Sequence, residues 1–473
     1  MLKKYCAILL IFCALMTAFG CRSAEPSSDV EASAPETALE GSAPEVTREE
    51  SVSVSPSPEA SPVPELSQRE QDWVNDLNYL RKHYKLYHQD PFYYCPEEEF
   101  DFKIDQLAAK VGRLSDNEIA FEIAAILAGM GDIHTRVNLP ESVFEAFFPV
   151  AVFYVGDKLY LAAYLEGYDR FEPYLMQEIV AVNGVDIRYI QKKIDTLISP
   201  NNIWDSREVF SRYYAVYPAF YDWVGCGYTE GYTFQILNEN DEVESVEVPV
   251  LPLEALDEGQ SWVRAEGINS LHYLQGGNWA EYFEEEKGDY VYVSFTELES
   301  LNEARYRELF ETAAELLSAH PDCGKLVIDL RSHPGGRIDA MRYIEEYVSV
   351  LKEAPIKQTY VLIGGYTASA AIECLDIFKA ELDVLTVGEP TGQFPSFFYN
   401  VGTAPFILPH SQLSVLIADH WHSGANSENE WYDENGRLYE WENTVLPDVF
   451  VSQDIEDVRQ GKDSVIQWIL EQE

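Results

Sequence analysis

From Tyr290 onward, short apolar runs alternate with amphipathic ones, and this alternation restricts the possible folds more than any other feature of the chain. Tyr290 to Phe295 has the pattern of a strand, Leu301 to Ser318 of a helix, and Lys325 to Leu330 of a buried apolar strand. Ile338 to Leu351 follows as a second helix, Thr359 to Ile363 as another strand and Ala368 to Ala380 as a third helix. Strands joined through helices build a mostly parallel sheet with right-handed crossovers, and ligands bind at the carboxyl ends of such strands. The expected class is α/β, with residues 286–473 forming the domain that carries the chemistry.

Upstream the patterning differs. Trp73, Leu77, Leu80, Tyr84 and Tyr87 fall at helical spacing. Apolar-faced helices follow over Phe100 to Leu114 and Glu118 to Met130, the latter with Ser115 and Asn117 both able to cap it. This predicts a helical region over 71–143, with its last helix stopping at Gly131-Asp132-Ile133-His134-Thr135. Residues 144–285 instead read as β-rich, with strands at Val150 to Val155, Leu159 to Tyr164, Ile179 to Val182 before an Asn183-Gly184 turn, and Tyr232 to Ile236. No repeat of solenoid length is present.

The first seventy residues belong to neither pattern. Lys3 and Lys4 precede an apolar run from Tyr5 to Phe19, shorter than the roughly 20 residues of a spanning helix, which predicts an export signal over 1–21. Its end, Ala18-Phe19-Gly20-Cys21, resembles a bacterial lipobox. That resemblance implies diacylglycerol on Cys21 and a body outside the cytoplasm, lipid-anchored to the bacterial cell membrane; an uncleaved anchor or an ordinary secretory signal are the alternatives. Residues 22–70 are rich in Ser, Pro, Ala and Glu, with 11 acids against 3 bases, and read as a disordered, solvated tether. The membrane is expected as a partner through that anchor alone. Cys95, Cys226, Cys323 and Cys374 are scattered without C-x-x-C spacing and read as isolated buried thiols.

Charge removes whole classes of function. With 81 acidic against 33 basic residues the net charge is -48, and no basic footprint for a phosphate backbone is available, so nucleic acid is excluded as a partner. An acidic rim around a cleft would favour cationic or neutral ligands over anionic ones. A hydrophobic content of 46% with 13% aromatics is enough to bury large cores and excludes a wholly disordered acidic chain.

Two strand ends carry unusual residues. Asp329-Leu330-Arg331-Ser332-His333-Pro334-Gly335-Gly336-Arg337 ends in paired glycines that leave backbone N–H groups open to an anion. Gly364-Gly365-Tyr366-Thr367-Ala368-Ser369-Ala370-Ala371 places a serine among small residues where a helix begins, unshielded and close to N–H donors that can hold an oxyanion. Taken alone, small residues at a strand-to-helix junction also suit close packing. The segment is not a G-x-S-x-G elbow, since Thr367 and Ala371 replace its glycines.

Together, Val327-Ile328-Asp329-Leu330-Arg331-x-x-Pro334-Gly335-Gly336 and Gly365-x-Thr367-Ala368-Ser369-Ala370 resemble the S41 peptidase family of tail-specific, C-terminal processing and tricorn core proteases. Gly131-Asp132-Ile133-His134-Thr135 is similar to the Asp-Gly-His-Thr segment of its tricorn-like branch. Val445-Leu446-Pro447-Asp448-Val449 resembles the terminal Pro-Asp strand, and Ile179-Val180-Ala181-Val182-Asn183-Gly184 a stretch of the PDZ-like segment. The resemblance runs from about residue 71 to the end. It implies a ClpP/crotonase-like catalytic fold of ββα units, a PDZ-like middle region and a polypeptide substrate, with no cofactor and no metal.

The family divides by mechanism. Processing proteases pair the serine with a lysine inside Thr-Phe-Gly-Lys-Gly, whereas this chain reads Glu389-Pro390-Thr391-Gly392-Gln393-Phe394-Pro395, and a neutral amide cannot take the serine proton. The tricorn-like branch uses histidine, and His134 is the match. The resemblance therefore implies Ser369 as nucleophile and His134 as base. Glu440, or alternatively Glu442, would be the third member acting through a second serine, although Ile133 stands where that serine can lie. The N–H groups of Ala370 and of Gly335 or Gly336 would form the oxyanion hole. An unperturbed imidazole at 134 implies loss of activity below about pH 6–7. The competing class is a catalytically silent peptide-binding lipoprotein that keeps the fold. Elsewhere, His420-Trp421-His422 reads as a solvated loop in preference to a zinc site, and Asp329 and Arg331 as residues that set a strand end. Trp421, Trp431 and Trp441 read as packing or rim aromatics. The oligomeric state is not legible.

Overall fold

The computed structural model describes residues 66–198, 201–227, 231–238, 240–256, 259–298, 303–400, 405–423 and 444–472. The signal segment with Cys21, nearly all of the tether, Trp431, Glu440, Trp441 and Glu442 lie outside the described residues.

Three helices, Gln68–Tyr87, Glu97–Ala108 and Asp116–Ala128, open the body. The first and third start with capping boxes. The hydroxyl of Ser67 accepts from the Glu70 N–H while the Ser67 N–H donates to the Glu70 carboxylate, and Ser115 and Glu118 repeat the arrangement. Ser115, and not Asn117, is therefore the cap. Leu77, Leu80 and Tyr84 of the first helix share one core with Phe100, Ile123 and Leu127, and with Leu161, Ile179 and Phe234 from the next region. Asp76, fully buried, accepts the backbone N–H groups of His410 and Ser411 at 2.9 and 2.7 Å, which ties a late segment of the chain to the first helix.

The middle region holds an antiparallel sheet in the order Trp262–Arg264, Lys158–Leu165, Glu178–Val182, Tyr232–Leu237, Val243–Val248, with Val150–Val155 also paired to Lys158–Leu165. Asn183 and Gly184, at φ 50° and 78°, make the expected turn between Glu178–Val182 and Val185–Asp186; both central residues need positive φ there. The β-rich expectation omitted the helices Ile187–Asp195, Ile203–Val209 and Pro218–Val224 and the π-helical turn Phe210–Tyr214.

The alternating pattern after Tyr290 forms a six-stranded sheet in the order Trp279–Phe283, Tyr290–Ser294, Lys325–Asp329, Gln358–Ile363, Val384–Gly388, Val449–Phe450. Only its first pair is antiparallel. The sheet begins at Trp279, upstream of residue 286. Alternate residues serve opposite faces: Val291, Ile328 and Val361 pack with Phe310, Ile344 and Phe378 of the crossover helices, whereas Tyr292, Val327 and Leu362 pack with Ile466 and Ile469 of the helix Ser464–Leu470. The expected helix from Ile338 to Leu351 is α-helical over Met341–Val348 and 3-10 at both ends. The four cysteines are free; Cys95, Cys226 and Cys374 are buried, while Cys323 is partly exposed, so only three fit the buried-thiol expectation.

Candidate active site

The strand Gln358–Ile363 delivers the chain into a tight loop that reaches a helix at Ala370–Glu381, two residues later than the sequence pattern suggested. Thr367 braces this loop, its hydroxyl donating to the Leu330 carbonyl at 2.8 Å and accepting the Gly364 N–H at 3.1 Å. A Cβ at Gly365 would lie 2.7 Å from the Trp204 carbonyl oxygen, so only glycine fits there. Ser369 follows as the N-cap residue with φ 54° and ψ -127°. For a residue bearing a Cβ this conformation costs about 1–3 kcal/mol and persists only where surrounding structure enforces it. Its hydroxyl makes no capping bond to its own helix, unlike Ser67 and Ser115, and so does no structural work at that terminus.

The glycine pair passes directly beside it. A Cβ at Gly335, whose φ is 109°, would fall 2.6 Å from the Ser369 Cβ and 3.1 Å from the Ala370 nitrogen. The Gly335 N–H donates to Nδ1 of His333 at 3.1 Å. His333 is fully buried against the Phe295 ring, and burial pushes its imidazole down to about 3, so it is neutral and its proton sits on Nε2. With the Gly335 N–H engaged, Gly336 and Ala370 are the better placed donors for an oxyanion. The Ala370 N–H belongs to the first helical turn, which has no acceptor inside its own helix.

His134 arrives from the other end of the chain, on the loop after the third helix. Its backbone N–H donates to Asp132 at 2.9 Å, and Asp132 in turn lies 3.2 Å from Nε2 of His88. The His134 ring stacks on Phe397 at 5.7 Å with its side chain 19% exposed. Burial pulls its pKa down to about 4, against the opposing charge of Asp132.

Gln393 joins the two. It is fully buried, its Oε1 accepts the Ser369 N–H at 2.5 Å, and its Nε2 lies 3.5 Å from Nδ1 of His134. Sequence reasoning saw in Gln393 only a missing lysine and gave no sign that its side chain meets both Ser369 and His134. Glu440 and Glu442 are outside the described residues, so the third member has no geometry.

Other candidates resolve differently. His420–His422 is a strand, paired antiparallel with Phe397–Tyr399, and not the expected solvated loop; apolar partners such as Phe398 against Trp421 hold it in place. His422 Nδ1 lies 3.5 Å from Glu373, whose carboxyl burial pushes up to about 7. Among the described residues no cluster suited to a metal ion is present. Arg331 is buried between Asp329 and Asp463, the latter at 2.7 Å, and sets the strand end as expected.

The loop after the strand Gln358–Ile363 thus brings together a strained serine whose hydroxyl caps no helix, a glycine pair and, through Gln393, a partly buried histidine. No family model matches this chain, and no curated protein matches it. Among solved structures, mature CPAF complexed with lactacystin superposes with a TM-score of 0.53 at 11% identity, over 85% of this chain and 97% of that one. Mature CPAF gives 0.52 at 11%, over 85% and 96%. The photosystem II D1 C-terminal processing protease gives 0.37 at 13%, over 85% and 99%. The two CPAF structures, S41-family proteases, carry the comparison, and at such identity their likeness shows the fold of those proteases alone.

Proposed function

We propose that this chain is a serine-type endopeptidase of S41 type, lipid-anchored outside the cytoplasm through Cys21, that cleaves extended polypeptides through an acyl-enzyme on Ser369. In this reading the six-stranded sheet and its crossover helices are a ClpP/crotonase-like ββα domain, and the antiparallel sheet is PDZ-like. The observation that carries it is the strained backbone of Ser369, whose hydroxyl does no capping, beside Gly335 and joined through Gln393 to His134. The Ser369 Oγ attacks the peptide carbonyl carbon as its proton passes to the neutral imidazole of His134. The N–H groups of Ala370 and Gly336 hold the oxyanion, and the imidazolium protonates the departing amine. Water, deprotonated by the same imidazole, then releases the acid and restores Ser369. Glu440, or Glu442, is the third member.

The test is covalent labelling by a fluorophosphonate. A mass increase on Ser369 that vanishes in Ser369→Ala is expected. A folded wild-type chain that takes no label favours the second reading, a silent peptide-binding lipoprotein, toward which Gln393 in the lysine segment and Ile133 in place of serine both point. Detergent-phase partitioning of the full chain, lost in Cys21→Ala, tests the anchor.

A further inference from the structure

A carboxamide has one end that only accepts and one that only donates, and at Gln393 both ends meet the site. The Ser369 backbone supplies an N–H, so the oxygen must face it, as it does at 2.5 Å. The other end is then forced to be Nε2, a donor, and it faces Nδ1 of His134 at 3.5 Å. A donor there can be met only by a lone pair. Turning the amide over would set donor against donor at Ser369. Its loop is held as well: the Thr391 hydroxyl donates to the Gln393 carbonyl at 2.9 Å, and Asn202 Nδ2 donates to the Thr391 carbonyl at 2.7 Å.

We infer that Gln393 is a positioning residue that ties the His134 ring to the backbone of Ser369 and keeps Nδ1 of His134 unprotonated, so that the proton of the neutral ring sits on Nε2. This inference rests on the peptidase reading for its catalytic meaning. Gln393 takes no proton itself; it acts through His134.

The surroundings of the ring agree. Asp132, on the same loop, lies 4.0 Å from Nδ1 and favours the charged imidazole, but it is shared with His88 at the end of the first helix. Arg136, two residues on, opposes protonation, and the strand Phe397–Tyr399 contributes the Phe397 ring and a backbone contact from Phe398 that favours it. The loop carrying Gln393 brings an uncharged donor to this nitrogen. Replacing that donor by an acceptor should therefore reverse the preference.

The experiment uses the full chain labelled with ¹⁵N at histidine, titrated by NMR, with Gln393→Glu and Gln393→Met. Glutamate keeps the oxygen for Ser369 and offers a second oxygen to Nδ1; methionine keeps the size and removes both groups. The His134 titration is expected to move up by at least one pH unit in Gln393→Glu, with the acid limb of labelling moving equally. Gln393→Met is expected to slow labelling on the order of 100-fold, as for a misplaced catalytic group, with the same thermal midpoint within a few degrees. An unchanged His134 titration in Gln393→Glu would overturn the inference. Because NMR reads the imidazole without turnover, a wild-type chain that takes no label defeats the peptidase reading alone and leaves the positioning test standing. If Gln393→Met fails to fold, the nearly isosteric glutamate variant decides.

Discussion

Ser369 combines a backbone conformation suited to glycine with a side chain that glycine lacks, and this conflict separates function from stability at one position. Ser369→Gly is expected to abolish labelling while raising stability by roughly 1 kcal/mol, because the strain of positive φ disappears. Ser369→Ala keeps the strain and should abolish labelling with no such gain; comparing the two by denaturant unfolding checks this. His134 sets the pH response. Only its neutral form accepts a proton, and burial lowers its pKa from 6.5 to about 4, so activity should persist down to about pH 4–5 instead of failing at pH 6–7. An acid limb at 6.5 in the wild-type rate profile would contradict this environment. The segments carrying Ser369, His134, Ala370 and the glycine pair stood out in the sequence because each is a short local motif, and their chemistry rests on the proposed reading. The role of Gln393 was not, since an amide means nothing until two remote segments meet its ends.

At the scale of elements, the Ser369 loop is gripped from the middle region. The Arg212 guanidinium lies 4.4 Å over the Tyr366 ring, the Tyr213 and Tyr366 hydroxyls are hydrogen-bonded, and the Trp204 carbonyl closes on Gly365. Gly365→Ala should force the loop off this support, cutting the labelling rate by at least about 10-fold while circular dichroism stays unchanged. Arg212→Ala leaves Glu208 without its buried partner and should cost about 3–5 kcal/mol by denaturant unfolding. The central strands Tyr290–Ser294, Lys325–Asp329 and Gln358–Ile363 were readable from their apolar runs, because burial on both faces leaves little else they can be, whereas Trp279–Phe283 and Val384–Gly388 were missed. The supporting helices Ile203–Val209 and Pro218–Val224 were not, since seven residues make two turns and give periodicity nothing to repeat.

Over the whole molecule, two sets of buried groups pull stability in opposite directions with pH. His134 and His333 have folded pKa values below 6.5, so the unfolded chain binds protons first and stability falls as pH drops from 6.5 toward 4. Asp195, Asp205 and Glu373 are raised to about 6, 7 and 7 by burial, so their contribution is present below the ordinary carboxylate range and is lost as pH rises through those values. Asp205→Asn should therefore raise the thermal midpoint more at pH 8 than at pH 5, and equal shifts would argue against a buried ionisation there. The net charge of -48 adds a test of substrate preference: cationic peptides should be cleaved faster than acidic ones, with the difference shrinking as salt rises.

The two ends of the Gln393 carboxamide meet residues contributed at very different times to a growing chain, for Gln393 and His134 are 259 positions apart. Ribosomes complete the His134 segment long before that of Ser369, so the arrangement cannot assemble until both are made. Under the peptidase reading, cleaving power is the last property such a chain acquires and the first it loses when it opens.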